Sequence, residues 1–246
     1  MMEIAGWPKL VINYEADPAH IAALLPPGIE PGAEPLVQIG VYCVPVQGEP
    51  EYGISTKVAA DYQGTAGWFS LGIGIDQESA IFISQERNGQ PKFPCSVRYF
   101  RRSEHVEASA THQGRTFMEF AASVASEGDV DAEPEENNEW WIKQSRAIGG
   151  GEGEWDFPPH VVRVRMVSRK IWSAQLDGEL RFHESPWDPY TELLPIKQQL
   201  NAELVLNEHH ARDITNVGPL DPVAFWPYAD TISGSRWPGN NGGPRR

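Results

Sequence analysis

The sequence predicts a β-rich α+β domain built mainly from antiparallel strands, and three observations carry that expectation. The 246 residues include 23 glycines and 21 prolines spread along the whole length, which favours short strands joined by turns over long helices. Apolar residues come in short blocks or in strict alternation, as in Val162-Arg163-Val164-Arg165-Met166, the period of a half-buried strand. Helix signals are confined to two short stretches. With 40% hydrophobic residues, no internal repeat and no interior linker, residues 1–246 are expected to form one domain around one core.

Leu10-Val11-Ile12-Asn13-Tyr14 reads as the first strand. Asp17-Pro18 supplies an N-cap and a first-turn proline for a short helix, Ala19 to Leu25, stopped by Pro26-Pro27-Gly28. Strands are expected at 36–46, 55–62 and 67–75. In the last, Phe69, Leu71, Ile73 and Ile75 fall on one face, while Trp68, Ser70, Gly72 and Gly74 fall on the other and leave room for a molecule to lie against the sheet. Glycines inside a strand also mark bulges. Strands near 79–85, 95–101, 104–112 and 116–124 continue the antiparallel series.

Residues 126–158 change character. Acidic residues crowd Glu127 to Glu139 and Gly149-Gly150-Gly151 follows, predicting a long solvated excursion with Trp140-Trp141-Ile142 packed back on the body. Strands near 162–166, 170–175 and 178–183, a short helix around 195–200 and a strand over 202–210 complete the series. The Gly/Pro-rich tail, 234–246, is expected to be loosely held.

The formal net charge is −14 and the sequence pI about 4.9, which argues against nucleic acid or an anionic membrane as partner. Two cysteines, Cys43 and Cys95, make no disulfide framework and fit a reduced cytoplasmic setting. The N-terminus lacks the pattern of a signal peptide, and no apolar run is long enough to span a bilayer.

Lysine is scarce: Lys9, Lys57, Lys92, Lys143, Lys170 and Lys197 stand against fourteen arginines. Lys92 lies in Gln90-Pro91-Lys92-Phe93-Pro94, where a proline on each side stiffens the turn that presents it. An ammonium held against apolar surface loses solvation, its charged form is disfavoured, and it becomes an amine nucleophile near neutral pH. A surface lysine at a strand turn is the plainer reading of the pentapeptide.

Several segments, in order and spacing, resemble the acetoacetate decarboxylase superfamily. They are Leu24-Leu25-Pro26-Pro27-Gly28-Ile29-Glu30-Pro31, Glu34-Pro35-Leu36-Val37, Ile75-Asp76-Gln77-Glu78-Ser79-Ala80-Ile81, Gln85-Glu86 with Gly89-Gln90-Pro91-Lys92, and Leu194-Pro195-Ile196-Lys197 with Ala202-Glu203-Leu204-Val205-Leu206. The resemblance spans roughly residues 9 to 215. It implies a barrel-like arrangement of antiparallel sheets around an enclosed cavity, a homo-oligomer, no cofactor, and a Schiff-base lyase in which Lys92 attacks a small oxo acid. Decarboxylation of a β-oxo acid is the leading expectation. Pyruvate aldol condensation or dehydration on the same lysine is the alternative, and a non-catalytic binding protein on this scaffold is the other class.

The family's decarboxylase carries a second lysine directly after the first, a case of an amine activated by a neighbouring cation. Here that position is Phe93. Polar pocket positions of the family correspond to Trp7, Gly40 and Ile54, so the pocket is expected to be larger or more apolar.

Glu86 matches the acidic member of the family's Arg-Glu pair and is a candidate proton relay, with an ion pair to Arg87 or Arg98 as the structural alternative. Gln85 and Gln90 are candidates to orient a carboxylate or hydroxyl. Trp7, Ile54, Phe93 and Trp68 complete the expected substrate-binding set. Tyr228, in Phe225-Trp226-Pro227-Tyr228-Ala229-Asp230, is either an acid/base or part of an aromatic plug. His209-His210 point to opposite faces of a strand, so no metal site is expected there.

Overall fold

The computed structural model describes residues 7–46, 48–232 and 237–238, leaving aside the side chains of 230–232. In chain order it contains β1 (Lys9–Glu15), α1 (Pro18–Leu24), β2 (Glu30–Pro31), β3 (Leu36–Val46), β4 (Glu49–Tyr62), β5 (Thr65–Ile75) and α2 (Glu78–Asn88). There follow β6 (Lys92–Pro94), β7 (Ser96–Arg102), β8 (His105–His112), β9 (Arg115–Asp129), β10 (Glu135–Arg146) and β11 (Trp155–Phe182). The last elements among the described residues are α3 (Tyr190–Leu193), β12 (Gln198–Pro219), α4 (Pro222–Phe225) and a 3₁₀ segment, Trp226–Ile232. The β-rich α+β expectation holds.

The strands form one sheet in the order β10-β5-β4-β3-β1-β12-β11-β9-β8-β7, with β2 on β4 and β6 on β5. Pairing is antiparallel except where β5 meets β6 and β10. β10 is bonded on one side to β5 and on the other to β11. Main-core residues come from one face: Leu10, Ile12 and Tyr14 of β1, Ile39 and Val41 of β3, Ile54 and Val58 of β4, and Phe93 of β6. The residues between them turn to the other face, and these build the site.

Four elements differ from the sequence reading. Residues 79–85, expected as a strand from Ala80-Ile81-Phe82-Ile83, lie in helix α2. Glu78 in the first turn, Arg87 in the last and Gly89 at φ 66° outweigh the β-propensity of that apolar run. The Gly89 N–H bonds the Ser84 and Gln85 carbonyls, closing the helix. The acidic stretch is carried largely by the ends of β9 and β10, where Arg163 and Arg165 of β11 pair with Glu136. The strands expected separately at 162–166, 170–175 and 178–183 are one strand, β11, bent by bulges against β12. The helix expected at 195–200 falls earlier, at α3, because Pro195 cannot continue it and β12 pairing starts at Gln198.

Of the tail from Gly234, only Trp237 and Pro238 are described; the rest lies outside the described residues. Trp237 is not loosely held. It is fully buried, edge-on to Tyr190 at 5.2 Å, and its indole N–H donates to the Trp187 carbonyl at 3.1 Å.

A bulge in β5 matters most for function. Thr56 pairs with Gly72 and Lys57 with Ser70, so Leu71 is an extra residue. Side chains alternate across a strand, and one inserted residue exchanges the faces beyond it. Phe69 and Leu71 therefore join the main core, whereas Ile73 and Ile75 pack with Ile81 of α2 on the other face. The single apolar face expected for 69, 71, 73 and 75 is thus split.

Candidate active site

Lys92 starts β6, whose short parallel pairing sets it beside Ile73. Its backbone is fixed at both ends: the N–H donates to the Gln90 carbonyl at 2.7 Å, and its own carbonyl accepts from the Gln85 side-chain amide of α2. The residue is 8% exposed. Its ammonium donates to Glu51 Oε2 at 3.3 Å, and Glu51 Oε1 accepts from the Tyr42 hydroxyl at 3.5 Å.

The same face carries further charge. Glu51, Gly53, Ser55 and Lys57 alternate along β4 with the core residues Ile54 and Val58. Lys57 forms a buried ion pair with Glu139 of β10, whose other oxygen accepts from the Trp141 indole at 2.6 Å. Burial pushes the Glu139 carboxyl up, but the Lys57 charge and hydrogen bond, the Trp141 donor and the Lys9 charge together hold it below the usual carboxylate value. Burial raises Tyr42 well above the phenol range, and Glu51 and Glu139 raise it further. Tyr42 stays a proton donor at neutral pH.

Glycine is required at two points. A Cβ on Gly53 would run into the Tyr42 ring, and one on Gly40 would meet the Lys9 side chain and, at 2.8 Å, Ser55 Oγ. Lys9 therefore reaches from β1 over Gly40 of β3 toward Ser55 of β4. Among the described residues it has no ion-pair or hydrogen-bond partner.

Burial, then the charge of Lys57, lower the Lys9 pKa from the usual 10.5 to about 8, with Glu139 opposing. Between pH 8 and 10.5 the unfolded chain holds a proton that the folded chain has lost, so this group makes stability rise with pH across that window. Below pH 8 it costs on the order of 3 kcal/mol. Lys9→Met is expected to raise the melting temperature at pH 7 and to converge with the wild type near pH 10.5. Subtracting the two melting profiles isolates Lys9 from Cys43 and Tyr99, whose raised values act in the opposite direction.

The family model described as acetoacetate decarboxylase matches residues 2–217. The chain belongs to the acetoacetate decarboxylase family. Among solved structures, an acetoacetate decarboxylase superposes with a TM-score of 0.74 at 14% identity, covering 86% of this chain and 87% of the other. The acetoacetate decarboxylase from Legionella pneumophila gives 0.70 at 17%, covering 87% and 84%. The enduracididine biosynthesis enzyme MppR, complexed with the condensation product of pyruvate and imidazole 4-carboxaldehyde, gives 0.64 at 14%, covering 85% and 87%. At these identities the likeness concerns the fold. No curated protein sequence matches the chain.

The acetoacetate decarboxylase fold distributes the residues singled out from sequence unevenly. Lys92, Gln85 and Gln90 come together, but the two glutamines act on the Lys92 backbone. Trp68 pairs with Glu139 across β5 and β10 and stands on the charged face. Phe93 and Ile54 sit in the main core on the opposite side of the sheet, Phe93 edge-on to His112 at 5.0 Å. Glu86 is exposed on α2, and its carbonyl accepts from Lys143. Tyr228 packs on the core beside Phe225, with ring centroids 6.3 Å apart. Trp7 is 43% exposed and lines a cleft of about 480 Å³ with Tyr99, Arg101 and Leu204. The sequence reading passed over Lys9, Tyr42, Glu51, Lys57 and Glu139. The scarcity of lysine was the one signal pointing toward Lys9 and Lys57.

Proposed function

We propose that the chain is a Schiff-base lyase acting on a small oxo acid, with Lys92 as the amine and decarboxylation of a β-oxo acid as its reaction. The observation that carries this reading is the buried Lys92–Glu51 pair, whose lysine lies in the Gly89-Gln90-Pro91-Lys92 segment that resembles the family's Pro-Lys motif. Glu51 takes the proton from the Lys92 ammonium, freeing the lone pair to attack the substrate carbonyl. The carbinolamine oxygen takes a proton back and leaves as water, giving a protonated imine. The bond to the substrate carboxylate then breaks, its electron pair flows to the iminium nitrogen, and carbon dioxide departs. A proton from solvent, relayed by Tyr42 and Glu51, adds to the enamine carbon, and hydrolysis of the resulting iminium releases the ketone and restores Lys92.

A second reading, pyruvate aldol condensation or dehydration, is favoured by one specific observation. Phe93 points into the core where the family's decarboxylase has its second lysine, so that neighbouring cation is missing. The MppR complex with a pyruvate condensation product makes this chemistry compatible with the fold. Assays separate the two readings. The first expects carbon dioxide from acetoacetate or a longer 3-oxo acid. Absence of carbon dioxide, together with a conjugated product from pyruvate and an aldehyde, would replace it with the second.

The double pairing of β10 supports a barrel-like closure of the sheet around the charged face. Assembly as a homo-oligomer, supported by the exposed Phe82 and Ile83 on α2, and a cytoplasmic setting belong to the same proposal. Among the described residues, no helix is long and apolar enough to cross a membrane.

A further inference from the structure

Around Tyr42 the charged face holds, among the described residues, the ammonium groups of Lys9, Lys57 and Lys92 and the carboxylates of Glu51 and Glu139. Lys92 is paired with Glu51 and Lys57 with Glu139, while Lys9 reaches over Gly40 with no ion-pair partner among the described residues, attracted by Glu139 only from farther away. Lys9 is half-buried, its charge is disfavoured by lost solvation and by Lys57 and only partly offset by Glu139, and chains retain such a cation where something else supplies further opposite charge. A second polar group is in the same situation. Ser70 Oγ lies opposite Lys57 on β5, is buried, and has no hydrogen-bond partner among the described residues. The face thus offers one surplus positive charge and one surplus hydroxyl.

We propose that Lys9 is the anchor for the substrate's carboxylate, and that the site is matched to a monoanionic acid. The strand order explains how a ligand is gripped at two ends. Lys9 crosses from β1 over β3 toward Ser55 of β4, and Lys92 crosses from β6 over β5 to Glu51 of β4. Both side chains therefore end above β4, on either side of Gly53, whose missing Cβ leaves the Tyr42 ring standing between them. An acid bound to Lys9 faces Lys92 across the Tyr42 ring. A dianion would bring one negative charge more than the cluster can neutralise, and an uncharged ketone would leave Lys9 uncompensated. The lowered pKa of Lys9, about 8, agrees with an amine waiting for an anion, and at neutral pH the group is still largely charged.

This rests on taking the charged face as the reaction site, and the test keeps the two ideas separable. Lactate has a carboxylate and no carbonyl, so it reports on the anchor without imine chemistry; lactamide is its uncharged counterpart. Calorimetric titration of the full chain at pH 7 is expected to show lactate binding at least about 10-fold tighter than lactamide, a difference of about 1.4 kcal/mol. Lys9→Met should abolish that preference, and Lys9→Arg should keep most of it. Equal affinities for lactate and lactamide in the wild type, or an undiminished preference in folded Lys9→Met, would overturn the assignment. The wild-type comparison decides even if Lys9→Met fails to fold. Loss of imine trapping at Lys92 with the lactate preference retained would remove the Schiff-base reading and leave the anchor standing.

Discussion

Replacing Lys92 by alanine is expected to lower turnover of any oxo acid substrate by more than about 1000-fold, equivalent to about 4 kcal/mol of barrier. Without the amine no imine forms, and neither carbon–carbon cleavage nor condensation has an electron sink. Lys92→Ala also strands Glu51, which keeps only the long bond from Tyr42. A buried carboxylate left without its cation is strongly destabilising, so alanine confounds loss of chemistry with loss of fold. Lys92→Gln resolves this by keeping a neutral donor for Glu51 Oε2. Its melting temperature should fall less than that of the alanine variant, because Glu51 loses its counter-ion but keeps a hydrogen bond, while turnover falls as far. Activity within 10-fold of wild type in Lys92→Gln would mean that another group is the nucleophile.

Glu139→Gln is expected to produce the largest change in stability, on the order of 3–5 kcal/mol, because it leaves the buried Lys57 ammonium without a counter-ion and removes an attraction on Lys9. For a chain of this size each kcal/mol lowers the melting temperature by roughly 2–4 °C, so the shift is easily measured. The effect has a definite pH dependence. The Glu139 carboxyl is held below its unfolded value, so its contribution is complete above the unfolded pKa and disappears as pH falls through the folded one. Wild type and Glu139→Gln should therefore differ most near neutral pH and converge in acid. A Glu139→Gln, Lys57→Gln double variant should recover much of the loss, since the two neutral amides can bond each other. Equal melting temperatures for the wild type and Glu139→Gln at pH 7 would show that the pair contributes little.

Much of the frame was legible in the chain because short-range signals are strong in it. Leu10 to Tyr14, the Asp17-Pro18 helix start and the strand at 36–46 are each set by local pattern and turn chemistry, and the structure has β1, α1 and β3 there. The reading failed where a signal was tertiary. Ala80-Ile81-Phe82-Ile83 has a strand's composition, yet Gly89 closes a helix six residues after Ile83, and only Ile81 of that run is buried. In β5 a strict alternation was read straight through Leu71, and the bulge there reverses the faces beyond it.

The site shows the same division. Lys92 was legible because two prolines frame it within five residues. Its counter-ion was not, since Glu51 lies 41 residues earlier. Glu139 lies 82 residues after Lys57, inside a stretch whose acidic composition resembles a solvated loop. Pairing β10 with β5 is what brings that carboxylate to the charged face, and no local pattern encodes it. Glu86, chosen for its place in a motif, sits instead on the exposed side of α2.

Borohydride reduction in the presence of oxo acids, followed by peptide mass mapping, tests the central claim most directly. Acetoacetate and pyruvate should each leave a reduced adduct on the peptide containing Lys92, and none on that peptide in Lys92→Gln. Absence of any adduct at Lys92 across a series of small 2-oxo and 3-oxo acids, or an adduct mapping only to Lys9 or Lys57, would contradict it.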